Sequence, residues 1–296
     1  MTFRHLEAFV AVAREGGFTR AAERLCLTQP TVSGQIRELE EDLGLELFHR
    51  LPRAVELTDA GKALLPKALD VLAARDRFAQ EAAALRGVVA GELAVHASTI
   101  PGEYLLPPVL ARFKAEHPGV RVVLEVADTS EVLRRVEAGE AGVGIVGSEA
   151  GGDLLSEPLW GDRIVLLVPA GWPVADRIAP EDLGDLPLVA REPGSGTRRT
   201  VEAALGDRRV HPRVVAELGS TTAVLEAVKA GLGAGFVSER AAAEALASGR
   251  VRSVAVDGVV PVSRRFLAVW HPRRALGPAA RALLEILREE AGSTDG

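Results

Sequence analysis

Apolar residues recur at helical spacing along the first 57 positions of this chain. Phe3, Leu6, Phe9, Val10 and Ala13 mark a first helix that stops at the Gly16-Gly17 break. Phe18, Ala21, Ala22 and Leu25 form the apolar side of a second, shorter one. The stretch CLT then predicts a tight turn, with Thr28 placed to cap a third helix. Pro30 sits in the first turn of that helix, where its missing amide hydrogen costs nothing. Val32, Ile36, Leu39 and Leu43 are its buried stripe and Gly44 its end. LFHRLPRAVELT predicts two strands around a turn at Leu51-Pro52-Arg53.

Thr58 and Asp59 cap a long helix running towards Arg86. Its apolar positions, Leu64, Ala68, Val71, Phe78, Ala82 and Leu85, are spaced by alternating fours and threes and interrupted only at Arg75. That seam predicts a helix that pairs with its copy in a second chain. The competing reading is an amphipathic helix packed on its own domain, which Pro66 and the short length allow.

From Gly91 the pattern changes to strand–helix alternation. ELAVHAS leads to a helix over 102–115, VRVVLEVA to one over 130–138, and GVGIVG follows. RIVLLVP opens a second set: LPLVA leads to a helix over 197–205, RVVAEL to one over 222–230, and AGFVS to one over 239–247. RRFLAVW and a helix over 278–291 close the chain. Short Val-rich runs with helices between them predict parallel sheets covered on both faces, hence an α/β fold of two small lobes.

Composition narrows the function classes. A chain of 296 residues with 47% hydrophobic and 26% charged residues is an ordinary globular protein of two or three domains. Cys26 is the single cysteine, so no internal disulfide forms, and no apolar run spans a membrane. With no secretory signal at the N-terminus, the expected location is the cytoplasm and no membrane partner is expected. The net charge of −6 argues against indiscriminate adhesion to nucleic acid but leaves room for a local basic surface. His5, His49, His96, His117, His211 and His271 are scattered without metal spacing, and none pairs with Cys26. His96 reads as a core residue of a buried strand.

Two short helices joined by a turn, the second capped by hydroxyls, suit insertion in a DNA major groove. Thr28, Gln29, Pro30, Thr31, Ser33, Gly34 and Arg37 are the candidate contacts. Small donors and acceptors approach base edges closely, and one arginine can fork onto guanine or phosphate. Arg50 and Arg53 at the ribbon tip would grip the flanking backbone. Residues 1–57 hold seven arginines and no lysine against nine acids, so a helical protein–protein module competes with the DNA reading. The acids Glu38, Glu40, Glu41 and Asp42, however, cluster at the far end of the third helix.

AREPGSGTRRTVEAAL raises the question of enzyme chemistry. A phosphate loop of the nucleotide-hydrolase type needs Lys then Ser or Thr after its glycines, whereas Thr197-Arg198 follows Gly196. A dinucleotide fingerprint needs a third glycine near Arg199, which is absent. What remains is an anion cradle: Gly194 and Gly196 let the backbone curl, a helix N-terminus aims its amides outward, and Ser195 and Thr197 add hydroxyls. Ser98-Thr99-Ile100, Thr129-Ser130 and Ser220-Thr221 also stand at strand-to-helix junctions. Ligands of such folds lie beyond the carboxyl ends of the strands, so these helix starts are expected to converge on one interlobe cleft. The plain alternative is that each hydroxyl only caps its helix.

The run FRHLEAFVAVAREGGFTRAAERLCLTQPTVSGQIRELEEDLGLELFHRLPRAVELTDAGKALLP closely resembles the winged helix–turn–helix of LysR-type transcriptional regulators. The resemblance implies a winged helix–turn–helix over 1–57, a linker and dimerisation helix over 58–88, and an effector-binding module over 89–296 like a periplasmic binding protein. Lobe I would take about 89–161 plus 265–296 and lobe II about 162–264. ASTIPGEYLLP and REPGSGTR resemble the branch that includes regulators of sulfur and selenium metabolism and of carbon fixation. There the matching segments line the effector cleft, which implies Ser98, Thr99 and Ser195 as ligand contacts. Ile100, Thr129, Gly196, Thr197, Ser220 and Thr221 join them as candidates. Gly34 stands where the family often carries a basic or other longer side chain, and Gly142 where it frequently carries an acidic one. The expected partners are double-stranded DNA, a small-molecule effector (an oxyanion or a phosphorylated or carboxylated metabolite) and a second or fourth copy of the chain. RNA polymerase is a further candidate partner. No catalytic set, metal or cofactor is expected. The alternatives are an enzyme acting on a phosphorylated or sulfated metabolite, for which no general base can be named, and a transport-type solute receptor.

Overall fold

A computed structural model of the chain describes residues 1–51, 54–85, 89–140, 142–148, 152–206, 210 and 212–294. They form two compact units. The first holds α1 (Phe3–Glu15), α2 (Phe18–Leu25), α3 (Gln29–Leu43), the ribbon β1 (Phe48–Leu51) and β2 (Ala54–Leu57), and α4 (Asp59–Ala84). Thr2, Thr28 and Thr58 cap α1, α3 and α4 through their hydroxyl oxygens. Gly16 and Gly44 close α1 and α3 in the left-handed region, at φ of 62° and 67°. The turn before α3 is tight enough to put Cys26 there too, at φ 54°. β1 and β2 pair antiparallel with Phe48 opposite Leu57.

Phe9, Val12, Ala21, Val32, Ile36, Leu39 and Leu47 make the core of this unit, with the Phe9 and Phe48 rings edge to face at 5.6 Å. Phe3 and Leu43, expected in the buried stripes, are exposed because they lie at helix ends beyond the packed face. The Arg75 guanidinium covers the Phe3 ring instead, 5.3 Å from its centre. Both readings of α4 have a share in it. Leu64, Leu65, Ala68, Leu69 and Leu72 pack on the unit's own core. Val71, Phe78 and Leu85 are exposed at 44%, 78% and 90%.

The second unit runs through β3 (Gly91–Ser98), a π-helical turn Pro101–Leu105, α5 (Leu106–Glu116), β4 (Val120–Ala127), α6 (Thr129–Ala138) and β5 (Val143–Val146). Then come β6 (Leu155–Pro169), β7 (Arg177–Ile178), β8 (Pro187–Arg191), α7 (Gly196–Leu205), β9 (Arg213–Leu218), α8 (Thr221–Lys229) and β10 (Ala234–Ser238). α9 (Glu239–Ala247), β11 (Val251–Val256), β12 (Val262–Trp270) and α10 (Pro278–Thr294) complete it. The sheet order is β4-β3-β5-β12-β6-β10-β8-β9, with β11 beside β6 and β7.

The sheet is mixed, which corrects the expectation of parallel strands. β3 pairs parallel with β4 and β5, and β8 with β9 and β10. β6 and β12 run antiparallel to each other and to their other neighbours β5, β10 and β11. A continuous apolar run such as RIVLLVP marks burial on both faces and carries no information on direction. β6 and β12 cross from one lobe to the other, so each lobe is fed by both. β6 shows the double covering: Ile164, Leu166 and Val168 enter one core cluster and Val165 and Leu167 the opposite one. Phe113, Leu106, Ile145, Phe266, Leu283 and Leu287 centre the core of lobe I. Among the described residues no helix is long and apolar enough to cross a membrane.

Candidate functional site

The first candidate surface is the outward face of α3. Gln29, Pro30, Thr31 and Arg37 are exposed, and Ser33 and Gly34 half-exposed, opposite the fully buried Val32, Ile36 and Leu39. The Thr28 hydroxyl is already engaged: it accepts from the Thr31 amide at 3.4 Å and lies 2.8 Å from the Thr31 hydroxyl. A Cβ at Gly34 would meet nothing within 4 Å, so the centre of the face is bare backbone. The acidic end of the helix serves the fold. Glu40 accepts from the Leu47 amide at 2.8 Å, Glu38 faces His5 Nε2 at 3.1 Å, and Asp42 pairs with the N-terminal amine. These bonds hold the negative charge away from the Gln29–Arg37 stretch. Arg53 lies outside the described residues, as does the Arg50 side chain.

The second candidate is a cavity between the lobes. Ser98, Thr99, Ile100 and Thr129 of lobe I and Ser195, Gly196 and Thr197 of lobe II line it together. Ser195, Thr197, Ser98 and Thr129 are all buried. Ser195 also caps α7, accepting from the Arg198 amide at 3.4 Å. Ser220 and Thr221 are not on the wall. Ser220 caps α8 by accepting from the Ala223 amide at 3.1 Å, and Thr221 accepts from Arg191 Nη1 at 2.6 Å.

Sequence reasoning missed the charged wall. Arg191, at the end of β8, and Arg264, near the start of β12, both line the cavity and are nearly inaccessible. Arg191 forks onto the Glu192 carboxylate at 2.7 Å through Nε and Nη2, and Nη2 also approaches the Thr99 hydroxyl of lobe I at 3.4 Å. Arg264 donates to Asp162 at 2.8 Å and to the Thr197 hydroxyl at 3.1 Å, with its carbon 4.9 Å above the Phe266 ring. Burial pulls the Arg264 guanidinium below its ordinary pKa, and Asp162 opposes that shift. Asp162 is itself fixed by the Ser238 hydroxyl at 2.7 Å. A charged residue inside an apolar strand run, as in PLVAR and SRRFLAVW, was the available signal.

The glycines of the loop have a reason other than backbone curl. Neither Gly194 nor Gly196 takes a left-handed φ. A Cβ on Gly194 would lie 2.5 Å from Asp128 Oδ1, and one on Gly196 2.6 Å from the Thr129 hydroxyl. Asp128 in turn accepts from the Glu131 amide at 3.0 Å and caps α6. The Ser130 amide and hydroxyl both donate to the Gly194 carbonyl at 3.4 Å. The loop of lobe II is thus seated directly on the first turn of α6 in lobe I, and the free volume left is about 10 Å³. That is room for roughly one water molecule. Among the described residues no cluster of His, Cys, Asp and Glu could hold a metal ion.

Comparison with known proteins follows the same division. The family described as "Bacterial regulatory helix-turn-helix protein, lysR family" matches residues 3–62, and "LysR substrate binding domain" matches residues 86–292. The chain is 35% identical over 298 residues to the RuBisCO operon transcriptional regulator of Acidithiobacillus ferrooxidans, covering 100% of this chain and 95% of that one. Among solved structures it is similar to full-length CbnR complexed with its target DNA (26% identity, TM-score 0.67, 98% of this chain and 100% of that one). It is also similar to the CcmR regulatory domain of Synechocystis PCC6803 in complex with 2-PG (26% identity, TM-score 0.63, 68% of this chain and 97% of that one).

Proposed function

Since this chain belongs to the LysR family and is a DNA-binding transcriptional regulator under small-metabolite control, we propose which of its residues carry the two tasks. Gln29, Thr31, Ser33 and Arg37 meet base edges in the major groove, with Pro30 and Gly34 allowing close approach and Thr28 ordering the helix start. Arg50 and Arg53 remain the candidates for the flanking phosphates. The exposed seam of α4, Val71, Phe78 and Leu85, pairs with the same helix of a second copy, as a two-fold operator requires.

The effector is a small anion held between the lobes by Arg191, Arg264, Ser98, Thr99, Thr129, Ser195 and Thr197. One observation carries this reading: two buried guanidinia meet hydroxyls from both lobes at a single cavity. Buried charge is expensive unless paired, and here each arginine is kept by a carboxylate, Glu192 or Asp162. An entering anion takes over part of that pairing, so charge stays balanced while the bridge between lobes changes. The nearly filled cavity must open for it, which couples occupancy to lobe geometry. The ligand shifts the population of two arrangements by its difference in affinity for them. The CcmR domain in complex with 2-PG makes 2-PG the first compound to try, and target genes in carbon fixation are the matching expectation.

Ser195→Asp tests the pocket. Aspartate preserves the helix cap, so the fold persists, but its charge repels an anion. The 2-PG-dependent change in operator binding is expected to vanish while basal DNA affinity stays. An unchanged response would remove the loop from the site.

A further inference from the structure

A ring of side chains closes across the two lobes beside the effector cavity. Arg191, at the end of β8 in lobe II, is its hub: Nη1 donates to the Thr221 hydroxyl at 2.6 Å and Nη2 to the Thr99 hydroxyl of lobe I at 3.4 Å. Thr221 is buried and opens α8. Its neighbour Thr222 is exposed and shares a side-chain hydrogen bond with the Tyr104 hydroxyl of lobe I. Thr99 and Tyr104 belong to one strand-to-helix segment, so the contacts run from lobe I to lobe II and back.

The turn that carries Tyr104 is fixed to its own lobe. Pro101–Leu105 is a π-helical turn, closed by the Leu106 amide on the Pro101 carbonyl. Such wide turns are rare and frequently stand at functional sites. Gly102 seats it on β4, since a Cβ there would lie 2.6 Å from Val126 Cγ2. Tyr104 is the single tyrosine of the chain and is 39% exposed. Burial, then the Glu103 carboxylate, pushes its phenol above the ordinary pKa, and the Thr222 contact opposes them. The phenol therefore keeps its proton at neutral pH and can donate as well as accept.

We propose that Tyr104 is a positioning residue of the effector pocket, a clasp whose hydroxyl on Thr222 holds the start of α8, and through Thr221 the Arg191 guanidinium, against lobe I. This rests on the cavity being the effector site, and adds what controls its opening. An anion enters only if the nearly filled cavity widens and Arg191 gives up part of its pairing. While the clasp is shut, Thr221 stays in place and keeps Nη1 of Arg191 with it. Parting one solvent-facing pair of hydroxyls costs a small part of a domain's stability. The clasp therefore sets how often the pocket opens rather than whether the lobes fold.

Amide hydrogen exchange of the full-length, ligand-free protein tests the clasp. Tyr104→Phe and Thr222→Val each remove one hydroxyl and leave the packing in place. Each is expected to speed exchange about two- to tenfold over both 99–105 and 221–225, with Tm unchanged. The double variant is expected to be no faster than either single one. Exchange that rises only around the mutated residue, that adds up in the double variant, or that stays at the wild-type rate overturns the clasp. The ring signal of the single tyrosine, labelled with carbon-13, is expected to move in Thr222→Val; a signal that stays put overturns the contact itself. With 2-PG as the probe, both variants are expected to speed entry and release together, about two- to tenfold, and so to leave affinity near the wild-type value. Affinity lost at an unchanged rate of entry overturns the gate. The exchange measurement needs no ligand, so it judges the clasp apart from the effector reading, which stands or falls with the 2-PG response of Ser195→Asp.

Discussion

The outward face of α3 and the wall of the interlobe cavity use the same chemistry, hydroxyls and arginine, and build it in opposite ways. On α3 the groups stand in water, so Gln29, Thr31 and Arg37 cost the fold nothing and wait for a partner that brings the opposite charge. In the cavity Arg191 and Arg264 are stored already paired, because an unpaired guanidinium could not be buried there. On the proposed function, the first surface recognises by adding contacts and the second by exchanging them. That difference sets what each mutation measures: affinity on α3, stability as well as affinity in the cavity.

The strongest way to break the comparison is Asp162→Ala. It leaves Arg264 buried without its carboxylate and is expected to cost about 3–5 kcal/mol of stability in the second unit, read by denaturant unfolding. A loss near zero would mean that Arg264 is not stored as a pair. Gly194→Ala comes next. The added methyl meets Asp128, so the closed seating of the loop is strained by about 1–3 kcal/mol. A shift of small-angle scattering towards a more open effector unit would report it. Arg37→Ala, on the exposed side, is expected to weaken operator binding by about 1–3 kcal/mol with unchanged thermal stability. A fall in Tm instead would make the residue structural. The smallest effect belongs to Glu131, half a helix turn from the loop contact. Hydrogen bonds from Arg134, then Arg135, hold its carboxyl at about 2 against an ordinary 4.5. Its contribution is present above about pH 4.5 and lost as pH falls towards about 2, so Glu131→Gln flattens the acid limb of stability in that window. Unfolding curves at neutral pH and about pH 3 check it; parallel losses in both proteins would discard the link.

Much of the fold could be read from the chain. Helical periodicity, the Thr28 cap, Pro30 in the first turn and Gly44 at the end located α3, because these are local rules of backbone hydrogen bonding. The hydroxyl-bearing strand-to-helix junctions at Ser98, Thr129 and Ser195 could be read for a similar reason: the carboxyl ends of strands gather at one side of such a sheet. The first half of β6 and all of β11 escaped, since LSEPLWGD and VRSVAV lack the unbroken apolar run that betrayed the other strands. Arg191 and Arg264 escaped because a charged residue in a strand reads as exposed until a buried acid from a distant element, such as Asp162, is found beside it.

The sequence alone determined the local order of the chain: an open polar helix face early in the sequence, and capped helix starts between strands later in it. Direction within the sheet, the pairing of Arg264 with Asp162 across 102 residues, and the reason for glycine at 194 and 196 were decided only in three dimensions. Periodicity reports whether a residue is covered, but which residue covers it depends on how strands far apart in the chain come to lie side by side.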